Sequence, residues 1–391
     1  MRRVRHVGGG TRMRMKTDAQ KKTAAAEGGR GLARTFARWR VSRRSGRNAK
    51  APYYLRNFAA SLVPGAFWRV QRETLLAALD THPRREELLA RVAYACRLPD
   101  HSSLDPAKGG NTLHAVGDER FPRRKHTYFY DARAILRYFP EGLRYRLVPG
   151  DVTWVPDAPA FVKSRPVSPG GANANSVLLR LNQVRHFVRV RDPYSWEEKD
   201  NTAVFRGKIY LKPKRMRLFE RFFGVPGFDL GDTSGERPRP EWIKPQLTIP
   251  EQLRHRFILC IEGNDVASCL KWVFASNSLA VMPRPEYETW FEEGRLVPGV
   301  HYIEIRPDYA DLPGKLAFYA ARPDLCEIIN RAERQWAARF ADPVDERLVG
   351  LAVACRYFEA SGQWPVPRPD TAQPVPALPR TRSWIPWPRK V

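Results

Sequence analysis

Between Phe257 and Met282 the chain reads FILCIEGNDVASCLKWVFASNSLAVM, and this stretch limits the possible folds more than any other. Phe257 to Ile261 is a short apolar run, the pattern of a strand buried on both faces. Glu262-Gly263-Asn264-Asp265 interrupts it. Gly263 tolerates backbone angles that other residues resist, and Asn264 or Asp265 can cap a following helix. The spacing predicts that helix over Val266 to Ser276, with Val266, Leu270, Val273 and Phe274 on one face. Leu279 to Met282 is a second buried strand, stopped by Pro283. Strand, glycine turn, helix and strand in so short a span predict parallel strands joined by a right-handed crossover. Such a unit directs unpaired N–H groups to the carboxyl edge of the sheet, where doubly wound folds bind anions and nucleotides. There is no GxGxxG and no Walker lysine. The turn alone leaves a phosphate site and an ordinary bend both open.

The 391 residues suffice for two domains, and a hydrophobic content of 43% supplies a large core. The net charge is +26, but residues 1–50 hold sixteen Lys and Arg against two acids. The remainder is only moderately basic, which suits an anionic substrate or an anionic membrane surface. Five cysteines without a CxxC pair argue for a reducing compartment, with neither a disulfide framework nor a zinc site. No run of 18 apolar residues predicts a membrane span, and the Arg-rich start lacks the apolar core of a secretory signal.

Five segments follow from composition and periodicity. Residues 1–50 read as a disordered basic tail, either a tether to anionic lipid or nucleic acid or a passive extension. Residues 51–200 begin with helices over Phe67 to Leu79 and after Pro83. Short strands follow at Tyr145 to Val148, Val177 to Leu181 and Phe187 to Val190. Residues 201–341 contain a Gly- and Pro-rich surface connection at Gly224 to Pro245, the βαβ unit, a strand at Tyr302 to Ile305 and a helix through Ile328 to Phe340. Residues 342–363 read as an amphipathic helix packing back on the core. Residues 364–391 form a Pro-, Trp- and Arg-rich tail in which proline forbids a helix or a central strand. Its indoles and cations suit a lipid interface as well as plain solvent.

The elements IEGNDVAS, LKW, SNS, YETWFEEGRLVPG and HY within 261–302 resemble glycosyltransferase family 90 in its bacterial lipopolysaccharide-core branch. LVPGDVTWVPDAPAFVKSRPV and KDNTAVFRGK upstream extend the likeness. The resemblance implies an α/β fold of GT-B type, with two Rossmann-like domains facing a cleft. Residues 51–200 would form the acceptor side and 201–341 the nucleotide-sugar side. It also implies a UDP-linked donor attacked in line, with inversion, and neither a cofactor nor a metal.

That reaction needs a base, a holder for the charge on the leaving diphosphate, and placement of the sugar. The resemblance assigns the base to Asp151, with burial beside Trp154 expected to raise its pKa. A turn Asp after Gly150 is the plain alternative, and Asp157, Asp131 and Asp192 are the fallback carboxylates. Lys163, Ser164 and Arg165 at a strand end would meet the diphosphate or an anionic acceptor. Arg206, beside Gly207, is the candidate for the pyrophosphate, because its planar fork binds two oxygens and stays charged. Gly263, Asn264, Asp265, Val266, Ala267, Ser268 and Lys271 would complete the donor site, with Glu288 accepting from ribose hydroxyls. Lys271 could equally pair with a carboxylate. Eukaryotic relatives carry Arg-Gly where this chain has Glu262-Gly263, so Glu262 is expected to face sugar or ribose hydroxyls. Arg185 and His186 match the bacterial branch, and His186 reads as packed.

The expected activity is therefore transfer of a sugar to a hydroxyl of an anionic glycolipid or saccharide, of the lipopolysaccharide-core kind. The expected location is cytoplasmic, peripheral on the inner membrane face. A nucleic-acid-binding protein is the competing class, but no RRM, KH, helix-turn-helix or zinc-finger pattern accompanies the charge, so no nucleic acid is expected. A catalytically inactive saccharide-binding relative is the third reading.

Overall fold

The computed structural model describes residues 47–105, 113–118, 126–235 and 239–364. The basic stretch before residue 47 and the Pro-rich stretch after residue 364 lie outside them, so the expectations for both tails are not addressed by the structure. The fold is mixed α/β with largely parallel sheets. No helix among the described residues is long and apolar enough to cross a membrane.

Three helices lead the chain, α1 (Lys50–Ser61), α2 (Gly65–Asp80) and α3 (Arg85–Ala95). Then come β1 (Leu113–Ala115), α4 (His126–Leu136), β2 (Arg144–Val148), β3 (Ala160–Val162), β4 (Ser164–Pro166), β5 (Ser176–Leu178) and the single turn α5 (Gln183–His186). β1, β2, β3 and β5 form one sheet in that order, with β2, β3 and β5 parallel. The expected strand at Phe187 to Val190 is instead an irregular segment after α5.

The second sheet is built from β6 (Asp200–Gly207), β7 (Phe228–Asp232), β8 (His255–Leu259), β9 (Leu279–Met282) and β11 (Ile303–Glu304). All pairings are parallel, in the order β11-β9-β8-β6-β7. Counted from β6, this is the doubly wound order 2-1-3-4-5, and its switch point lies between β6 and β8. Alternate residues enter two cores. Val204, Ile258, Ala280 and Met282 join the core shared with the first sheet, and Phe205, Phe257, Leu259 and Val281 join the other. Burial on both faces is why these strands read as continuous apolar runs.

Helices α6 (Pro213–Phe222), α7 (Ile249–Gln252), α8 (Leu270–Val273), α9 (Leu312–Ala320), α10 (Pro323–Ala338) and α11 (Pro343–Ala360) complete the chain. The long α11 packs against α2, α3 and α4, tying the C-terminus to the N-terminal helices. A third, two-stranded sheet joins β4 to β10 (Tyr287–Thr289), antiparallel, so the two halves of the sequence share hydrogen bonds.

Two further expectations about elements need correction. The Gly- and Pro-rich segment at 224–245 contributes the edge strand β7. Gly231 is needed there because an added Cβ would lie 2.7 Å from Lys244 Cβ and 2.9 Å from Arg206 Nε. The helix expected over Val266 to Ser276 is reduced to α8. Asn264 and Asp265 do not cap it, since their side chains turn to Asp151 and Lys163.

Candidate active site

The carboxyl ends of β6 and β8 bound the switch-point crevice, and a guanidinium sits between them. It belongs to Arg215, on the first turn of α6. Its Nε and Nη2 donate to Ile261 O at 3.2 and 3.0 Å, and Nη1 donates to Lys208 O at 3.0 Å. The group lies over the Phe205 ring, 5.3 Å from its centroid. Two glycines make room for it. A Cβ on Gly263 would lie 2.8 Å from Arg215 Nη2, and one on Gly207 would lie 3.0 Å from Phe205 Cζ and 3.4 Å from Arg215 Nη1. Gly263 therefore leaves the space that the Arg215 guanidinium fills, and it is not among the positive-φ glycines.

After β8 the loop Glu262–Ser268 turns back, with Gly263 N–H donating to Asp265 O at 3.1 Å. Asp265, Val266 and Ala267 are buried. Among the described residues, the amides of Asn264 to Ser268 find no acceptor. Buried amides need partners, and those of the buried Asp265, Val266 and Ala267 have none among the described residues. Glu262 does not face these amides. Its Oε1 accepts from the amides of Glu286 and Tyr287 at 3.0 and 3.2 Å, and its Oε2 accepts from Lys214 Nζ at 2.5 Å. Burial raises its pKa against the pull of Lys214.

The first sheet meets this loop. Asp151 follows β2, at the end of a turn in which Gly150 holds φ at 121°. Lys163 lies between β3 and β4, its Nζ 2.5 Å from Asp151 Oδ1 and 2.6 Å from Asp265 Oδ2. Asn264 Nδ2 donates to Asp151 Oδ2 at 2.9 Å. Asp151, Lys163, Asn264 and Asp265 thus form one cluster across both sheets. The expected upward pKa shift of Asp151 is reversed. Burial works to raise it, but the Lys163 ammonium and the hydrogen bonds from Lys163 and Asn264 outweigh burial and hold the carboxyl below its ordinary range. Trp154, expected to shield it, is itself exposed.

Arg185, on α5, is exposed, and among the described residues its guanidinium has no partner. It lies within electrostatic reach of both Asp151 and Arg215. Next to it His186 is buried, with neither ring nitrogen hydrogen-bonded. Burial, then the Lys271 and Lys163 charges, keep this ring neutral.

Other expected ligands have structural partners instead. Ser164 Oγ accepts from Val152 N–H at 3.0 Å and donates to Val152 O at 3.1 Å, clamping the loop that carries Asp151. Arg165 and Glu288 are fully buried and paired, with Nε 2.7 Å from Glu288 Oε1. Tyr94 Oη donates to the other Glu288 oxygen, so no carboxylate oxygen is left for a ribose. Lys271 is buried against Glu293, the alternative its sequence position had left open. Arg206 grips both oxygens of Asp229 at 2.9 and 2.8 Å and donates to Pro245 O. Of the fallback carboxylates, Asp131 is buried under Tyr53 and Gln183, and burial lifts its pKa to about 6. Asp192 holds Lys199 and the Asn277 amide. Asp157 is exposed, outside the cluster.

Comparison with known proteins identifies the family. The model of "Glycosyl transferase family 90" matches residues 177–342. The chain is 37% identical over 312 residues to the O-glucosyltransferase LpsA of Dichelobacter nodosus, an alignment covering 79% of this chain and 95% of that one. It is 24% identical over 160 residues to Protein O-glucosyltransferase 1 of Rattus norvegicus, covering 38% and 39% of the two chains. The mouse protein of the same name is 23% identical over the same length. The chain belongs to glycosyltransferase family 90. It is a glycosyltransferase, and its partners are a sugar donor and a saccharide acceptor.

Proposed function

We propose that this enzyme moves a sugar from a UDP-sugar to a hydroxyl of an anionic glycolipid or saccharide, of the lipopolysaccharide-core kind, by single in-line displacement with inversion. The observation that carries the reading is the cluster of Asp151, Lys163, Asn264 and Asp265, set beside the crevice that holds Arg215. In this reading the two sheets belong to the two halves of a GT-B enzyme, working at the inner face of the cytoplasmic membrane without a metal. The printed activity of the D. nodosus relative, O-glucosyl transfer, makes glucose the first donor to test.

Asp151 is ionised at neutral pH and therefore able to accept the proton of the attacking hydroxyl. Its depressed pKa makes it a weak base in the resting enzyme. Donor phosphates that draw Lys163 away from Asp151 raise its basicity at the moment it is needed. Arg215 and the amides of Asn264 to Ser268 take the charge that develops on the leaving diphosphate. Preorganised donors of this kind are each worth on the order of 3 kcal/mol. Arg185, exposed and unpaired, faces the anionic acceptor or the outer phosphate.

The test is thermal stabilisation of the full chain by UDP and a panel of UDP-sugars, with chelator present, in wild type and Arg215→Ala. Saturable stabilisation lost in the variant supports the reading. No response to any nucleotide sugar, together with tight, salt-sensitive binding of RNA or DNA, overturns it.

A further inference from the structure

Helix α1 is fixed from one side and bare on the other. Tyr53 Oη donates to Asp131 Oδ1 at 2.7 Å and lies 3.1 Å from Thr127 O, and Asn57 is buried, so the helix is held against α4. On the opposite face Leu55, Phe58 and Leu62 follow at helical spacing and are 69%, 58% and 70% exposed. At the start of α2, Phe67 and Val70 add 50% and 75% exposed side chains. Five large apolar groups within residues 55–70 are thus exposed close together in the sequence, and clustered exposed apolar groups mark interaction surfaces.

These groups lie in a basic stretch of sequence: from Gly28 to Arg72 there are eleven Lys and Arg and no Asp or Glu. Of these, Arg69 and Arg72 are paired with Glu141 and Glu73. Lys50 and Arg56, on α1 itself, are exposed beside the apolar stripe. A two-fold pairing of this face with a second copy would set these cations against each other. The C-terminal stretch 365–391 carries five Lys and Arg and one Asp, so it too is repelled. An amphipathic helix with Leu and Phe on one face, cations at its margin and a basic extension before it is the pattern that lies in an anionic lipid interface.

We propose that the outer face of α1 and the first turns of α2 form the docking surface for an anionic membrane. Leu55, Phe58, Leu62, Phe67 and Val70 enter the acyl boundary, while Lys50 and Arg56 meet lipid phosphates. α4, which holds α1, also carries Tyr128, a phenol within electrostatic reach of Lys163 and Asp151. One helix therefore separates the docking face from the candidate active site. The inference deepens the proposed function where that reading calls for a lipid-borne acceptor. Membrane binding itself is measured without donor or acceptor.

The experiment is co-sedimentation of the full chain with vesicles of phosphatidylcholine, alone or mixed with phosphatidylglycerol. It compares wild type with the triple variant Leu55→Ser/Phe58→Ser/Leu62→Ser and the milder Phe58→Ser. The expected result is wild-type binding to the mixed vesicles, weakened by salt, and a loss of about tenfold or more in the triple variant. Melting temperature and stabilisation by UDP should stay unchanged. The single variant gives an intermediate loss and keeps the test valid if the triple variant fails to fold. Three results overturn the proposal. They are no wild-type binding to mixed vesicles, equal binding by all three proteins, and a wild-type dimer in light scattering that Phe58→Ser converts to monomer. A UDP response retained alongside any of these leaves the transfer reading standing and removes only the docking face.

Discussion

Lys163 and Asp151, twelve residues apart, meet with Nζ 2.5 Å from Oδ1, and the same ammonium reaches Asp265 from the other sheet. One lysine thus sets the charge state of the proposed base and ties it to the loop after β8.

The acid limb of the pH dependence follows from that pairing. In wild type the kcat/KM profile should fall only below the ordinary carboxylate range, because the folded-state pKa of Asp151 is depressed. The same shift stabilises the fold above the unfolded-state pKa, and this stabilisation is lost as pH falls through the folded-state value. In Lys163→Met the ammonium no longer opposes the effect of burial, so the acid limb should move upward. A pH–rate profile of both proteins checks this, and an unmoved limb would remove Asp151 as the titrating base.

Gly263 and Arg215 should act as a unit. Gly263→Ala places a methyl 2.8 Å from Arg215 Nη2 and must displace it. Both Gly263→Ala and Arg215→Ala should weaken UDP binding by roughly 10- to 100-fold, and the double variant should add little to either single loss. Calorimetric titration with UDP measures the cycle, and fully additive losses would contradict the shared role.

Arg206→Ala should separate stability from binding. Its partner Asp229 is one-third exposed, but the Arg206 side chain is nearly buried and also donates to Phe205 O, Asp229 O and Pro245 O, so the loss should cost about 1–3 kcal/mol. UDP affinity should hold, because the Arg206 fork is already occupied. Loss of UDP binding at unchanged stability would return Arg206 to the donor site.

The Arg165–Glu288 pair is a buried link between β4 and β10. Glu288→Ala strands an unpaired guanidinium in the interior and should cost about 3–5 kcal/mol, whereas Arg165→Met/Glu288→Leu should cost less than the single change. Denaturant unfolding distinguishes the two, and a Glu288→Ala protein of wild-type stability would contradict the assignment.

Much of the second, five-stranded sheet was legible in the sequence. Strands buried on both faces leave unbroken apolar runs, so β8 and β9 were visible from Phe257 to Ile261 and Leu279 to Met282. The helices α2, α10 and α11 were visible from their spacing, while α9, too apolar to show a clear polar face, was not. The likeness to family 90 drew attention to Asp151, Lys163 and Asn264, and the structure brings these together. Arg215 was missed because KPKRMR reads as a solvated basic run, and only the strand order reveals that its second residue after Pro213 enters a crevice. The roles expected of Glu288, Arg165 and Ser164 failed for a related reason. A charged or hydroxyl residue near a strand end looks the same in sequence whether it faces a ligand or a buried partner.

The most direct test of the account is turnover by Asp151→Asn beside wild type, read as UDP release from UDP-glucose with a saccharide acceptor, with UDP affinity measured in parallel. The account predicts unchanged UDP affinity and a kcat lower by about 10²- to 10⁴-fold, the usual worth of a positioned base. Wild-type turnover in Asp151→Asn would contradict it.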